Sequence, residues 1–255
     1  MTGRNILIYL AVKYKGNWNL IYKAIVNKEI AKEEDVNKVV SLVAAKTITI
    51  IDKEYPSSLK DIPNPPFVLF YHGDISLLET NIISIVGSRD VSSYGEEMTR
   101  FIVSSLIKNN ETICSGLARG VDKIALETAL DNFYNTIAVL PSGIDNCYPK
   151  ENLLLYNIIK KDHLLISEYP GLVEPNADNF PLRNRIISAL SQSLFVVEAK
   201  KKSGTMITIS YSLENGKDIF CLPHNVDGIH YCNSLIKEGA FLVESAEDIF
   251  NCLNL

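Results

Sequence analysis

From about residue 81 the chain alternates short, continuously apolar runs with stretches of helical periodicity. The runs are rich in β-branched residues and are separated by loops of small and polar residues. Continuously apolar strands are typical of a parallel sheet whose two faces are both covered by helices. The alternation therefore predicts an α/β fold, a doubly wound and Rossmann-like domain with a mostly parallel sheet.

The same pattern places the individual elements. Strands are predicted over residues 81–86, 112–114, 136–140, 164–167, 193–197, 218–222 and 241–242. Helices are predicted over residues 94–108, 123–132, 152–160, 184–190, 206–215 and 232–237, with a last helix after Ser245. The apolar run at 67–71 is predicted to add an edge strand to this sheet.

The first 60 residues have a different pattern. Their apolar residues are spaced as in small packed helices, interrupted at Gly16–Asn17, and 35–43 reads as a further helix. Prolines at 56, 63, 65 and 66 then indicate a stiff linker. We predict a small all-α N-terminal domain over residues 1–60, followed by the Rossmann-like domain over residues 61–255.

Charge is spread unevenly along the chain. The net charge is −5, yet residues 1–61 hold ten Lys and Arg against seven Asp and Glu, and residues 204–255 hold two against seven. The start of the chain is therefore net basic and the C-terminal region net acidic, so the net charge alone does not describe any one part of the chain. The apolar fraction of 47% is too high for a disordered chain.

Cysteine and histidine spacing argues against a metal or disulfide framework. The five cysteines are odd in number and include no C-x-x-C pair, which indicates buried, reduced thiols in a cytoplasmic protein. The four histidines have no metal-ligand spacing, so we expect no metal and no cofactor; they are His72, His163, His224 and His230. We find no secretory signal and no apolar run long enough for a membrane span.

Cations recur in the loops that follow the predicted strands. Open α/β sheets bind ligands outside the carboxyl ends of their strands, so these loops would meet at one edge. A row of cations there, on an acidic chain, predicts a long polyanion as ligand rather than one small molecule. The candidate residues, in chain order, are Gly87, Ser88, Arg89, Arg119, Lys150, Arg183, Asn184, Arg185, Lys200, Ser203, Gly204 and Thr205.

Each motif alone also has a plainer explanation. Arg89 could be a solvated residue of a turn, and Asn184 could simply cap a helix. Arg183 and Arg185, in the first turn of a predicted helix, need an anion or a carboxylate nearby. Tyr148 and Phe180 could stack on bases or pack internally.

Catalytic signatures are missing. No G-x-G-x-x-G follows the first strand, which argues against a nicotinamide cofactor, and residues 198–205 lack the P-loop spacing. Glu168 and Glu198 end strands, and we expect capping or salt-bridge roles for them rather than catalytic ones. Asp122 is expected to cap a helix or complement its dipole. No catalytic residue is predicted.

Taken together, the motifs resemble the bacterial DNA-processing protein A family (DprA/Smf). They occur in the family's order over roughly residues 55–243. Leu117 stands where the family often has glycine. The matching stretches lie within 85–89, 115–122, 143–152, 180–188, 198–205 and 233–240.

The resemblance implies an extended Rossmann fold that binds single-stranded DNA, with Arg89, Lys150 and the Arg-Asn-Arg pattern of 183–185 at the groove. It implies that the protein is not an enzyme but protects incoming DNA and loads the RecA recombinase during natural transformation and recombination. It also implies a homodimer formed through the C-terminal half of the Rossmann domain, and an N-terminal domain of the SAM or helix-hairpin-helix type. Many members carry a C-terminal winged helix, which we do not expect within this chain.

Two alternatives remain open at this point. Related Rossmann-like hydrolases, the nucleoside-monophosphate phosphoribohydrolases, use a Pro-Gly-Gly-x-Gly-Thr-x-x-Glu loop. The comparable stretch, 198–208, has no Gly-Gly and no Glu after Gly204-Thr205. A small-ligand sensor or an interaction module that binds no DNA is the other alternative.

Overall fold

A computed structural model of the chain describes residues 1–106, 111–226 and 231–253. Within these ranges the strands form a single sheet in the order β1-β2-β6-β5-β4-β3-β7-β8-β9. They are β1 (Lys46–Thr49), β2 (Val68–Gly73), β3 (Ile82–Val86), β4 (Thr112–Ser115), β5 (Thr136–Gly143), β6 (Leu164–Tyr169), β7 (Ser193–Val196), β8 (Asp218–Cys221) and β9 (Phe241–Leu242). In this order, every pair of neighbouring strands from β6 through β3 to β9 is parallel, whereas β2 runs antiparallel to both β1 and β6. The predicted fold class, an extended Rossmann-like α/β domain preceded by helices, is confirmed.

Helices alternate with these strands and cover both faces of the sheet. In the part of the chain described they are α1 (Gly3–Lys13), α2 (Trp18–Val26), α3 (Glu33–Ser41), α4 (Ser57–Lys60), α5 (Ser93–Leu106), α6 (Val121–Asp131), α7 (Leu153–Asp162), α8 (Asn179–Leu190), α9 (Gly204–Glu214), α10 (Cys232–Lys237) and α11 (Ala246–Leu253). Short 3₁₀ turns span Ile75–Glu79 and Lys150–Asn152. In the same ranges, no helix combines the length and apolarity needed to cross a bilayer.

The order of the central strands creates a topological switch point. The chain runs outward from β3 through β4 and β5 to β6, then returns to place β7 on the other side of β3. The helices that follow β3 and β7 therefore diverge to opposite faces. One apolar core joins α5, α6 and α11 to the sheet, and the other joins α8, α9 and α10. Such a crevice is where open α/β sheets bind ligands.

The N-terminal helices are found as predicted, but the segment also contributes β1, which we did not predict. β1 pairs with β2 in the register Lys46↔Tyr71 to Thr49↔Val68, so the main sheet begins upstream of the boundary expected near residue 60. As a correction, the strand predicted at 67–71 is not the edge of the sheet, because β1 lies outside it. Leu7 and Ile8 of α1 pack in one core with Phe70.

The largest difference from the predicted elements is the start of α8. It begins at Asn179, five residues before the predicted start at 184. Pro181 is the third helical residue, a position in the first turn where a missing N–H costs no helical hydrogen bond. Arg183 and Arg185 therefore lie in the second turn rather than at the helix start. Residues 107 and 108, the predicted end of the helix that begins near 94, lie outside the described residues.

Candidate functional site

Two adjoining grooves open at the carboxyl ends of the central strands. The first, here called the switch-point groove, has a volume of about 380 Å³ and lies between the loops after β3 and β7. The second, the side groove, has a volume of about 240 Å³ and shares Arg89, Phe180 and Arg183 with the first. The predicted residues that line the switch-point groove are Gly87, Ser88, Arg89, Arg183, Asn184, Lys200, Ser203, Gly204 and Thr205. Arg119 lines the side groove.

The start of α9 presents an uncapped helix N-terminus to the switch-point groove. Ser203 is the N-cap residue, with extended backbone, but its hydroxyl makes no capping hydrogen bond. Its Oγ is buried and has no hydrogen-bond partner in the protein. A Cβ added at Gly204 would meet open space. Free N–H groups, the positive end of the helix dipole and an unpartnered hydroxyl are the features that favour an anion at this point.

The loop after β3 is held close to this helix. The Thr205 hydroxyl donates to the carbonyl oxygen of Gly87 at 3.1 Å. Ser88 Oγ donates to the Asp90 carbonyl oxygen at 2.9 Å and accepts from the Asp90 N–H at 3.1 Å. Ser88 therefore closes the turn that presents Arg89.

An aromatic pair lies beside Arg89. The Arg89 guanidinium carbon is 5.2 Å from the centroid of the Phe180 ring, and Phe180 meets Tyr148 edge-on at 5.7 Å. Tyr148 is 37% exposed, so its ring has a face open to solvent. Both rings line the side groove, which places two π surfaces next to a cation.

Two further predicted cations lie at the outer side of the grooves. Arg119 Nε is 2.5 Å from Glu151 Oε1, and both side chains are more than half exposed. The ammonium of Lys150 donates to Asn146 Oδ1 at 3.1 Å, and the residue is exposed. Lys150 lines neither groove, although its neighbours Tyr148 and Pro149 line the side groove.

Arg183 is built into the floor of both grooves. The residue is 5% exposed, and its Nη1 donates to the carbonyl oxygens of Gly116 (2.5 Å) and Val139 (2.8 Å). Its Nε donates to Asn184 Oδ1 at 2.9 Å. Arg183 is thus a fixed positive charge under the grooves, held by backbone carbonyl oxygens rather than by the anion or carboxylate considered from the sequence. Asn184 lies within α8 and does not cap it, as its side chain donates to the Gly204 carbonyl oxygen at 3.3 Å.

The predicted role of Arg185 in binding DNA is corrected by the structure. Arg185 is 2% exposed, and its Nη2 lies 2.5 Å from Glu168 Oε2. Arg185 is two residues after Arg183 in α8, and residues at that spacing lie on different faces of a helix, so its side chain points away from the grooves. Of the two partners considered for this cation, the structure supplies the carboxylate. The salt-bridge role predicted for Glu168 is confirmed by the same contact.

The remaining carboxylates near the site support the backbone. Glu198 accepts hydrogen bonds from the Ser92 N–H and hydroxyl, which caps the start of α5 as predicted. Asp122 accepts from the N–H groups of Gly116 and Ala118 and so folds the loop before α6; burial raises the pKa of this carboxyl. Among the described residues, no three His, Cys, Asp or Glu side chains are grouped to hold a metal ion. His230 lies outside the described residues.

Two residues of the site were not singled out from the sequence. Gly116 packs against the Arg183 guanidinium, and a Cβ there would collide with it. Thr208 lines the switch-point groove one turn after Gly204. The i, i+4 spacing from Gly204 could have revealed Thr208. The contact of Gly116 is long-range and leaves no local signal.

Comparison with known proteins agrees with this architecture. The family model of DNA recombination-mediator protein A matches residues 46–254 of the chain. A similar curated relative is the DNA processing protein DprA of Streptococcus pneumoniae, 41% identical over 205 residues, which are 80% of this chain and 72% of that protein. The family match begins at the first residue of β1.

Solved structures of two relatives superpose on the chain. The crystal structure of DprA from Streptococcus pneumoniae has a TM-score of 0.79 at 33% identity and covers 98% of this chain and 93% of that one. The DprA structure from Helicobacter pylori, described as revealing a single-stranded DNA binding mode, has a TM-score of 0.74 at 32% identity and covers 84% and 97%. By family match, identity and fold, the chain belongs to the DNA recombination-mediator protein A family.

Proposed function

We propose that this protein binds single-stranded DNA along the switch-point and side grooves, with phosphates at the start of α9. The observation that carries the proposal is the convergence of four separate loops on one continuous opening lined by Arg89, Arg183 and Lys200. The similarity to the Helicobacter pylori protein supports the choice of ligand.

Phosphate recognition rests on the N-terminus of α9. Ser203 Oγ lacks a partner, Gly204 leaves room for close approach, and Lys200 adds a mobile ammonium at the rim. These donors suit a phosphate oxygen, and phosphate is the same in every nucleotide. Binding to this part of the site should therefore depend on salt and little on sequence.

Base recognition rests on the rings of the side groove. Phe180 is already covered on one face by Arg89, and Tyr148 meets it edge-on. An unstacked base can pack on such a cation-backed aromatic pair. A duplex keeps its bases stacked inside, so the arrangement favours a single strand over a double helix.

We further propose that the grooves bind and do not catalyse. In the part of the chain described, the carboxylates that line them are Asp90 and Asp122. Asp122 is held by two backbone N–H groups, and its role is to shape the loop. In the first turns of α9, Thr208 stands where a phosphoribohydrolase loop would place its glutamate. Incubation with each nucleoside monophosphate should release no free base by chromatography; released base would favour the hydrolase alternative.

The wider role follows from family membership. We propose that the protein is cytoplasmic, protects incoming strands, loads the RecA recombinase on them during natural transformation, and forms a homodimer through its C-terminal half. Exposed apolar residues in that half support the dimer; they are Ile207, Leu213, Phe241 and Leu242. Loading is measured as RecA filament formation on oligonucleotides coated with single-strand-binding protein, and the dimer by light scattering during gel filtration.

Fluorescence anisotropy with labelled oligo-dT, repeated across salt concentrations, tests the binding proposal. Arg89→Ala should weaken binding by about tenfold and lower the log–log salt slope by about 0.7, the value for one phosphate contact on a single strand. Lys161→Ala is the matched control, because its side chain is 82% exposed on α7 and lines neither groove. Equal affinities for the Arg89 variant and the wild type would contradict the proposal.

A further inference from the structure

A pair of thiols lies in the core below the loop after β8. Cys221 ends β8 and Cys232 begins α10, and both are fully buried. Their side chains are hydrogen-bonded to each other. Cys232 Sγ also lies 3.6 Å from the carbonyl oxygen of Val197. This contact places the two thiols within reach of one another, as an intramolecular disulfide requires.

The third member of the cluster is His224. Its Nε2 lies 2.7 Å from the same Val197 carbonyl oxygen, and its side chain is hydrogen-bonded to Cys232. The backbone N–H of His224 donates to Asn233 Oδ1 at 3.0 Å. This hydrogen bond ties His224 to α10. The hydrogen bond with Cys221 lowers the pKa of Cys232 to about 6 in spite of burial, with His224 contributing further. The same hydrogen bond, together with burial, raises the pKa of Cys221.

The other cysteines have different surroundings. Burial raises the pKa of Cys114 to about 12, and burial also raises the pKa of Cys147. Cys252 is exposed near the C-terminus. Only a thiolate is an effective nucleophile toward peroxide. Because its pKa is lowered, Cys232 should react with peroxide more readily than Cys114 and Cys147, whose pKa values are raised.

We propose that Cys221 and Cys232 form an oxidisable dithiol, which peroxides convert to an intramolecular disulfide and thiol reductants restore. The inference does not depend on the proposed binding of DNA.

The chemistry proceeds in two balanced steps. The Cys232 thiolate attacks one oxygen of hydrogen peroxide, the O–O bond breaks, hydroxide leaves, and a sulfenic acid forms on the sulfur. The Cys221 sulfur then displaces the sulfenic hydroxyl, which leaves as water with the Cys221 proton. Two electrons pass from the two sulfurs to the peroxide, and two equivalents of a monothiol reverse the change.

Residues 223–226, which directly follow β8, supply the route by which peroxide would reach the pair. Exposure rises along this loop from half-buried Pro223 and His224 to Val226, which is 99% exposed. Loops of this kind open locally at a free-energy cost far below that of global unfolding. A small uncharged oxidant should therefore react, whereas bulky thiol reagents should react slowly with the folded protein.

The test uses the full chain with Cys252→Ser, which removes intermolecular disulfides. The protein is treated with hydrogen peroxide, denatured in the presence of iodoacetamide, digested and analysed by mass spectrometry. We expect a peptide pair linked through Cys221 and Cys232, lighter than the reduced peptides by two hydrogens and absent after reduction. Cys114 and Cys147 should be recovered alkylated, as internal controls within the same molecule.

A second variant identifies the attacking sulfur. With Cys221→Ser, Cys232 should instead accumulate a sulfenic acid that dimedone traps, and circular dichroism checks that the variant is folded. Absence of the linked peptide from the Cys252→Ser protein, at peroxide concentrations that oxidise Cys252 in the wild type, would overturn the proposal. Equal oxidation of Cys114 would also overturn it, because the reaction would then reflect unfolding.

Discussion

Gly116 and Arg183 are packed so closely that no side chain fits at residue 116. A Cβ there would overlap the guanidinium that donates to the Gly116 carbonyl oxygen. We expect Gly116→Ala to expel Arg183 from its site and to leave the Val139 carbonyl oxygen without this donor. The loss should lower the free energy of unfolding by about 2–3 kcal/mol, measured by urea denaturation. Oligo-dT affinity should fall in parallel.

The matched control is Gly204→Ala. A Cβ at residue 204 meets open space, and the residue begins α9, where alanine is an acceptable helix former. Its free energy of unfolding should stay within about 0.5 kcal/mol of the wild type. A similarly small effect of Gly116→Ala would show that Arg183 can rearrange freely, against the packing described.

Arg185 is predicted to matter for folding rather than for binding. Arg185→Met removes one partner of a buried ion pair and leaves the Glu168 carboxylate uncompensated. The free energy of unfolding should fall by about 3–5 kcal/mol. At a temperature where the variant is folded, its oligo-dT affinity should stay within about twofold of the wild type. A loss as large as that of Arg89→Ala would instead restore Arg185 to the binding surface.

The contrast between Arg183 and Arg185 shows which features of the fold could be predicted from the sequence and which could not. Continuously apolar runs located the strands of the parallel sheet, because burial on both faces leaves a clear pattern. Asn184 suggested a helix cap, yet α8 begins at Asn179 and Asn184 lies within it. Which arginine faces a groove depends on how α8 is rotated against the sheet, which local residue preferences do not determine.

β1 was missed for a related reason. Lys46–Thr49 is a four-residue strand whose first residue is exposed and whose last two are buried, so it lacks the alternation that marks a strand in the sequence, and its pairing with β2 stabilises it. The position of the switch point could not be predicted from the sequence either, because it depends on the pairing of β7 with β3. The loops that line the grooves were predictable from their glycines and cations, whereas the convergence of those loops required the strand order.

Asp145 is predicted to stabilise the fold in a pH-dependent way. Its Oδ1 is 2.9 Å from both Lys160 Nζ and His72 Nε2. Burial opposes ionisation, but the hydrogen bonds from Lys160 and His72 prevail and lower the pKa of Asp145. A depressed carboxyl pKa stabilises the fold above the unfolded pKa of about 3.9, and the contribution disappears as pH falls through the folded pKa.

Asp145→Asn should therefore lower the free energy of unfolding by about 1 kcal/mol at pH 7 and by less as the pH falls below about 4. Urea denaturation at several pH values measures the difference. Asp162→Asn, which alters an exposed pair with Lys161, should have no effect at any pH. A difference for Asp145→Asn that stays constant down to pH 2 would rule out ionisation of Asp145 as its source.

Leu117 combines a strained backbone with a buried side chain. Its φ is +57°, a conformation that favours glycine, and its side chain is fully buried. Leu117→Gly should gain about 1 kcal/mol from the backbone and lose about 2–3 kcal/mol of apolar burial. We expect a net loss of about 1–2 kcal/mol in thermal or urea unfolding. A more stable variant would mean that strain outweighs packing in this loop.

The pairing of β1 with β2 determines where the chain can be divided. A fragment that begins at residue 61 would lose the outer strand and leave one side of β2 with open N–H and C=O groups, which invite strands from other molecules. A fragment that begins at residue 46 would keep β1 but lose α1, whose Leu7 and Ile8 cover the same core as Phe70. Both fragments should aggregate when expressed alone, because the first exposes an unpaired strand and the second an uncovered apolar face, so the N-terminal segment is an integral part of the folding unit.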